Sequence, residues 1–263
     1  MNQSEISVSD QLDRTIVLKS PAQRIVSLVP SISELLYDLG LKDRIVGTTK
    51  FCIHPEESEQ SKRIGGTKNP KIKTISELQP DLVIANKEEN RKEDIDMLSV
   101  SFNVYVSDIS DVNSTFAMFR QIGTLTNTSK VVEELIQEIK EAWNCLPKPI
   151  AKAKVLYAIW KKPWMFAGND TYIHHFLDHL GLENVLQQKR YPVLEMDEIK
   201  ALSPDFLFLS SEPYPFKSKD ADELKKLLPS ASILLVDGEA FSWYGSRMKH
   251  CTPYIKQLMT ELT

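Results

Sequence analysis

The sequence predicts an α/β protein of two similar lobes with mainly parallel sheets, joined by a single long helical connector. Three observations carry this. Ile75, Leu78, Pro80 and Asp81 recur as Ile199, Leu202, Pro204 and Asp205, and 199 − 75 = 124 positions separate the copies. Each copy reads as a short helix closing on leucine, a Pro-Asp break and a buried strand. An internal repeat of this kind marks a duplicated architecture. Around both copies, strand-like runs alternate with helical ones, which is the pattern of a parallel sheet. Between residues 113 and 147 the strand signal disappears, and apolar residues recur at helical spacing.

In chain order, residues 6–18 alternate polar and apolar on either side of Asp10 and Asp13, a hairpin pattern. Residues 24–28 form a buried strand. Ser31 with Glu34 three positions on has the form of a capping box, so a helix is expected to start there and run to Leu39, stopped by Gly40. A strand over 44–47 leads into an irregular stretch over 48–70 holding Phe51, Cys52 and His54. The repeat follows, then a helix to Leu98 and a strand over 103–106. Phe116, Phe119 and Ile122 continue into Val132, Leu135, Ile136, Ile139 and Trp143, with Thr128 or Ser129 as the cap of a second helix. The order then restarts: a strand over 154–159, a loop over 160–170, a helix over 172–180 stopped by Gly181, and the second copy of the repeat. A strand over 233–236, a loop over 237–247 and a last helix over 254–262 complete it. The expected division is 1–23 (hairpin), 24–112 (first lobe), 113–150 (connector) and 151–263 (second lobe).

Composition narrows function. With 263 residues, 42% hydrophobic and 26% charged, the chain has the makeup of an ordinary globular protein. A formal net charge of −4 offers no basic stripe, so no nucleic-acid partner is expected. Cys52, Cys145 and Cys251 are far apart and lack metal-ligand spacing. No apolar run approaches the roughly 20 residues that span a bilayer. The first ten residues lack the features of a secretory signal, which points to a cytoplasmic protein as encoded and a periplasmic one if the export signal lies elsewhere. No Gly-rich phosphate loop, nucleophile elbow or carboxylate pair stands out, so no catalytic residue and no intrinsic cofactor are assigned.

Ligands of open parallel sheets bind outside the carboxyl ends of the strands. That rule gathers residues 29–31, 51–54, 86–91, 160–164, 210–216 and 242–247 around an inter-lobe cleft rich in aromatic and mixed charged groups. Trp243 and Tyr244 with Arg247 read either as an aromatic platform with a cationic clamp or as a packing pair. Trp164, beside Lys161 and Lys162, reads as a ligand contact at a loop tip. His54 is either a hydrogen-bonding or axial group or a surface histidine. His175 and His179 have zinc-like spacing, but Ile173, Phe176, Leu177 and Leu180 form the buried stripe of their helix and put the histidines on its solvated face, so no metal site is expected.

The residues Arg24, Ile25, Val26, Ser27, Leu28, Pro30 and Ser31, then Glu34, Gly47, the Pro80–Ala85 segment and Arg190, Tyr191 and Pro192 together resemble the substrate-binding proteins of ABC importers for cobalamin, iron-siderophores and haem. The resemblance extends from Asp10 onward and is closest to the cobalamin receptors. It implies a monomeric, non-catalytic protein that holds a corrinoid or similar metal chelate, such as cobalamin, for an ABC permease. The implied ligand-binding set is Phe51, His54, Trp164, Arg190, Tyr191, Phe216, Trp243, Tyr244 and Arg247. The resemblance also implies one acidic docking residue per lobe. Asp197 fills that role in the second lobe, whereas Lys73 stands at the first position and Glu77, one turn on, takes its place. The alternative is an intracellular metal-chelate handling protein or enzyme on the same fold, uncoupled from a permease.

Overall fold

A computed structural model describes residues 5–149 and 151–262, apart from the side chain of Glu59. The first four residues, Ile150 at the end of the expected connector and Thr263 lie outside the described residues. The chain divides into two compact units. One comprises the described residues through Ile109 together with Asn113–Lys140 and Tyr244–Arg247; the other comprises Ser110–Val112, Glu141–Trp243 and Met248 onward.

The first unit begins with the antiparallel hairpin of β1 (Ile6–Ser9) and β2 (Thr15–Leu18). It continues through β3 (Ile25–Ser27), α1 (Pro30–Asp38), β4 (Ile45–Thr48), the short ribbon of β5 (Gly65–Gly66) and β6 (Asn69–Pro70), and α2 (Ile72–Leu78). β7 (Leu82–Asn86), α3 (Lys92–Ser99) and β8 (Val104–Ser107) follow. The sheet is parallel in the order β4-β3-β7-β8. Its β8 edge is closed by the hairpin, where the Asp10 carboxylate accepts from the Val106 amide (3.1 Å) and from the Arg14 guanidinium (2.7 Å). An unpaired strand edge is an aggregation hazard, and a carboxylate that caps an edge amide removes it.

The helical stretch is α4 (Val112–Thr126) and α5 (Ser129–Asn144), broken at Asn127, whose φ is +58°. The division between the units falls inside α5, between Lys140 and Glu141.

The second unit contains β9 (Lys154–Trp160), β10 (Met165–Phe166), α6 (Tyr172–His179), β11 (Glu183–Asn184), α7 (Met196–Leu202) and β12 (Phe206–Ser210). It ends with α8 (Ser218–Leu227), β13 (Ser232–Val236), α9 (Gly238–Ser242), α10 (Arg247–His250) and α11 (Thr252–Glu261). β9, β12 and β13 are parallel neighbours, and β10 adds antiparallel to β9. The loop expected over 160–170 therefore contains the turn of a β9-β10 hairpin at 161–164 and β10 itself, and the loop expected over 237–247 contains α9, too short for a periodic signal.

The repeat has a physical explanation. α2 and α7 both end in a left-handed residue, Gln79 and Ser203, each with a φ of +46°, so the chain turns before the proline that follows. The aspartate after that proline then clamps the neighbouring strand. Asp81 accepts from the amides of Gln23 (2.7 Å) and Arg24 (3.0 Å) ahead of β3, and Asp205 from the amide of Lys154 (2.8 Å) at the start of β9. The apolar positions match too: Ile75, Val83 and Ala85 sit in one core cluster, and Ile199, Leu207 and Leu209 in the other, each 124 positions on. Gly40 (φ +74°) and Gly181 (φ +79°) supply the left-handed stops after α1 and α6.

One local reading is corrected. α1 starts at Pro30 with Val29 as N-cap and no side-chain cap, so Ser31 lies inside the helix. Proline is suited to a first helical position because its missing N–H would be unsatisfied there anyway. Glu34 forms no capping box; its carboxylate is bound to Arg247, 213 positions along the chain.

Candidate functional site

In the first unit the loop after β4 is pinned from behind. Arg63 donates to Thr48 Oγ1 (3.0 Å) and to the carbonyls of Thr49 and Cys52 (both 2.9 Å). Cys52 is buried against the hydroxyl of Ser33 (3.0 Å), and burial pushes its thiol pKa up, so it is a packed group and not a nucleophile. The same pinning leaves Phe51 48% exposed, with Lys50 Nζ 4.9 Å from its ring centre. His54 is half-buried two residues beyond Cys52. The loop after β7 is largely self-satisfied: Asn90 accepts from the Asn86 amide and donates to the carbonyls of Leu28 and Thr67.

The segment Tyr244–Arg247 belongs to this unit although it lies near the end of the chain. Gly245 passes so close to α1 that a Cβ there would meet the Ser31 carbonyl at 2.4 Å. Arg247 closes the contact with two bonds to Glu34, Nε to Oε2 at 3.0 Å and Nη2 to Oε1 at 2.7 Å. Their side chains are 17% and 7% exposed, so the pair is largely removed from water. Tyr244, in the same segment, is buried. The cationic clamp expected at Arg247 is thus already engaged by an internal carboxylate.

In the second unit an aromatic ladder follows the ends of β9 and β12. Trp164 is stacked on Phe216, with centres 5.7 Å apart and planes 8° from parallel, and on Phe166 at 6.4 Å and 19°. Phe216 also meets Tyr214 at 4.7 Å, and Tyr214 meets Trp160 at 5.5 Å. Phe216 is buried in the core cluster, whereas Trp164 is half-buried and Trp160 is exposed. Lys161 is oriented by Asp220 and Glu223, each at 2.7 Å, and its ammonium lies 5.5 Å from the Trp164 ring centre. Residues 190–194 run alongside β10, with Phe166 donating to Pro192 and Leu194 to Trp164; the exposed Arg190 guanidinium sits 5.7 Å from the Tyr191 ring.

Trp243, at the end of α9, donates its indole N–H to Glu212 Oε1 at 2.7 Å, and Ser242 donates to the same oxygen at 3.1 Å. Burial raises the Glu212 carboxyl above the usual carboxylate range, opposed by these two donors and reinforced by Glu239 and Asp237. Of the expected set, the structure joins Trp164 with Phe216, Arg190 with Tyr191, and Arg247 with Tyr244 along one segment. Sequence reading took in Glu212 and Tyr214 within the segment 210–216 without singling them out, and missed Arg63 and the acids that hold Lys161. The Pro-Tyr-Pro-Phe run at 213–216, with two aromatic residues directly after a strand, was the signal available for Tyr214.

Asp197 on α7 is 97% exposed and 3.6 Å from Lys200. Glu77 on α2 is exposed beside Lys73, at 4.0 Å. On α6, His175 is exposed as the apolar stripe requires, but His179 is not on a solvated face. Its ring lies 4.9 Å from that of Trp143, and its Nε2, like Nδ1 of His174, is buried without a hydrogen-bond partner. The described residues contain no group of three or more metal-ligating side chains.

A family model for periplasmic binding proteins matches residues 25–228. The chain belongs to the periplasmic binding protein family. A vitamin B12-binding protein of Vibrio campbellii is 24% identical over 196 residues, covering 72% of this chain and 71% of that protein. The ABC transporter substrate-binding lipoprotein YvrC of Bacillus subtilis is 25% identical over 213 residues, covering 76% and 67%. Among solved structures, a possible iron-binding (periplasmic solute-binding) protein from Staphylococcus epidermidis superposes with a TM-score of 0.77 at 25% identity, covering 92% of this chain and 99% of that one.

As a periplasmic binding protein the chain binds a substrate and is not an enzyme. Membership also corrects two expectations, the cytoplasmic location and the intracellular handling role or enzyme, because the family is periplasmic and the Bacillus subtilis relative is a lipoprotein. The physical reason is general: a secretory signal is cleaved from a mature protein, so the composition of the first residues does not report where a folded receptor works.

Proposed function

We propose that the protein is the receptor of an ABC-type importer for a corrinoid or a comparable planar metal chelate. The stacked face of Trp164 supports this reading most directly. A large ring is kept half-exposed, parallel to Phe216 and backed by Phe166, with a cation placed over it by two acids. An aromatic ring fixed in this way offers a flat contact surface at low cost in side-chain entropy. The exposed Phe51 of the first unit offers a second such surface. Arg247 and Lys161 are each occupied by carboxylates, so neither is available as a simple counter-ion, and this favours an amide-rimmed corrinoid over a polycarboxylate. Asp197 and Glu77 are the docking acids in this reading, and the receptor acts as a monomer.

The test is a titration of the purified protein with cyanocobalamin, cobinamide, haem and a ferric siderophore, followed by tryptophan fluorescence. Saturable quenching by a corrinoid is expected. Saturation only by haem or the siderophore would change the ligand class, and saturation by none would overturn the reading.

A further inference from the structure

We propose that the outer edge of β13 pairs with the same edge of a second copy of the chain, antiparallel and about a two-fold axis at Leu234. The proposal goes beyond the receptor reading and does not rest on it. β13 is the last strand of its sheet, parallel to β12 and without a strand on its other side among the described residues. The Ser232 amide donates to the Asp205 carbonyl (2.8 Å), and the Val236 carbonyl accepts from the Ser211 amide (2.9 Å). In a parallel ladder alternate residues bond to the same neighbour, so Ser232, Leu234 and Val236 face β12, and Ile233 and Leu235 turn their N–H and C=O groups outward. The other edges of the two large sheets are covered. The β1-β2 hairpin closes β8, Arg63 bridges to Thr48 of β4, and Val193 bridges to Met165 of β10. β13 itself, Ser-Ile-Leu-Leu-Val, carries no charge and no proline, and Leu235 is 46% exposed. An edge of this kind recruits another strand unless a charge, a proline or a bulge blunts it.

Symmetry and charge select a second copy as the occupant. With the axis at Leu234, Ile233 of each copy stands opposite Leu235 of the other, and each such pair exchanges two hydrogen bonds, so the outward groups of both residues are satisfied. The ends of the strand are complementary as well. α8 packs on β13 and finishes with Lys225 and Lys226, both exposed and without an ion-pair partner among the described residues, shortly before the strand begins. Asp237, also exposed, follows the end of the strand. Antiparallel pairing sets the Asp237 end of each copy beside the lysine end of the other. A parallel arrangement would bring lysine to lysine and aspartate to aspartate, which opposes pairing. None of the residues proposed for ligand or permease lies on β13, so each copy in the pair remains a complete receptor.

The experiment uses the full chain without ligand. Sedimentation velocity and amide exchange, the latter read residue by residue by mass spectrometry, are measured from about 1 µM to about 500 µM, the range in which an interface below the standard size associates. Monomer is expected at the low end and dimer at the high end. Protection of the Ile233 and Leu235 amides should grow with concentration, while that of Leu234 and Val236, bonded to β12 in either state, stays constant. Leu235→Lys places a blunting charge at an exposed edge position and is expected to weaken association by roughly tenfold or more, with the melting temperature of the dilute protein unchanged. Asp237→Asn keeps the N-cap that accepts from the Glu239 amide and removes only the charge. It should weaken association several-fold at low salt and not at about 1 M salt, where exposed charges are screened.

A dimer whose Ile233 and Leu235 amides stay unprotected, or one that survives Leu235→Lys at full strength, would overturn the proposal by placing the interface elsewhere. A chain that is monomeric at every concentration would overturn it too and leave the edge to a strand of a different protein. If Leu235→Lys does not fold, the exchange pattern of the wild type decides alone. Each of these outcomes is read without ligand, so the receptor reading stands or fails by its own titration.

Discussion

At the scale of single residues, the ion pair of Arg247 with Glu34 decides where the segment Tyr244–Arg247 lies. Both groups are largely out of water, and breaking a buried pair from one side leaves the other charge without compensation. Arg247→Ala is expected to destabilise the protein by about 3 kcal/mol. Arg247→Ala combined with Glu34→Gln should recover part of that loss, because the stranded carboxylate is gone. Urea unfolding of the two variants checks this, and equal midpoints would count against the pair. The histidines of α6 give a second prediction. Burial lowers the pKa of both His174 and His179, opposed by Asp178 in each case and reinforced by His175 and Lys152 at His174 and by Lys148 at His179. A depressed pKa means that the neutral form is favoured by folding, so this stability is present above the unfolded value of about 6.5 and is lost as pH falls through the folded values. Melting temperature should therefore decline on acidification below about pH 6.5, and His179→Gln, neutral throughout, should flatten that decline. An unchanged slope in His179→Gln would show that His179 does not contribute.

At the scale of elements, the helix-Pro-Asp-strand repeat shows what a sequence can and cannot state. Its two copies were legible because the same leucine, proline and aspartate recur at one spacing; the left-handed residue before each proline and the aspartate's contact with the neighbouring strand, 51 to 58 positions away, are seen only in the structure. The structure adds an asymmetry that the repeat hides. Asp81 accepts two backbone amides and Asp205 accepts one. At roughly 1 kcal/mol per bond, Asp81→Ala should lower stability about twice as much as Asp205→Ala, which denaturant midpoints would measure. Equal losses would mean that the second amide of Asp81 is satisfied by water at no cost. What was not legible depends on distant partners. Glu34 looked like half of a capping box because Ser31 is three positions away, while its actual partner comes 213 positions later. Trp243 was recognisable as an aromatic after a strand end, but Glu212, which accepts its indole N–H, lies 31 positions earlier and follows a different strand. α9 is five residues long and cannot show a helical period. His179 was placed on the solvated face because the stripe of α6 accounts only for its own helix, not for Trp143 of α5 packed against it.

At the scale of the whole molecule, the proposed receptor has to bind its ligand and also be recognised by a permease, and the proposal gives the two tasks to different residues. The ligand contacts proposed here follow strand ends, whereas Asp197 and Glu77 lie on α7 and α2, helices that precede strands. Asp197 is almost fully exposed, 3.6 Å from Lys200, a surface arrangement that contributes little to stability. Its charge is therefore free to serve a partner. Lys73 and Glu77 sit 4.0 Å apart on α2, so the first unit offers a carboxylate already shared with a cation. Charge at the rim of an interface acts mainly on encounter and register, and reversing it imposes repulsion where attraction was needed. Asp197→Lys should leave cyanocobalamin affinity within about twofold of wild type and the melting temperature unchanged, yet reduce uptake of labelled corrinoid by roughly tenfold. Lys73→Glu should raise uptake, most clearly at low ionic strength, where exposed charges are least screened. The measurement is made in the native host deleted for its own copy and complemented with each variant. Normal uptake by Asp197→Lys would remove α7 from the docking surface. Reduced uptake by Lys73→Glu would show that the lysine itself, and not Glu77, is what the permease reads on α2.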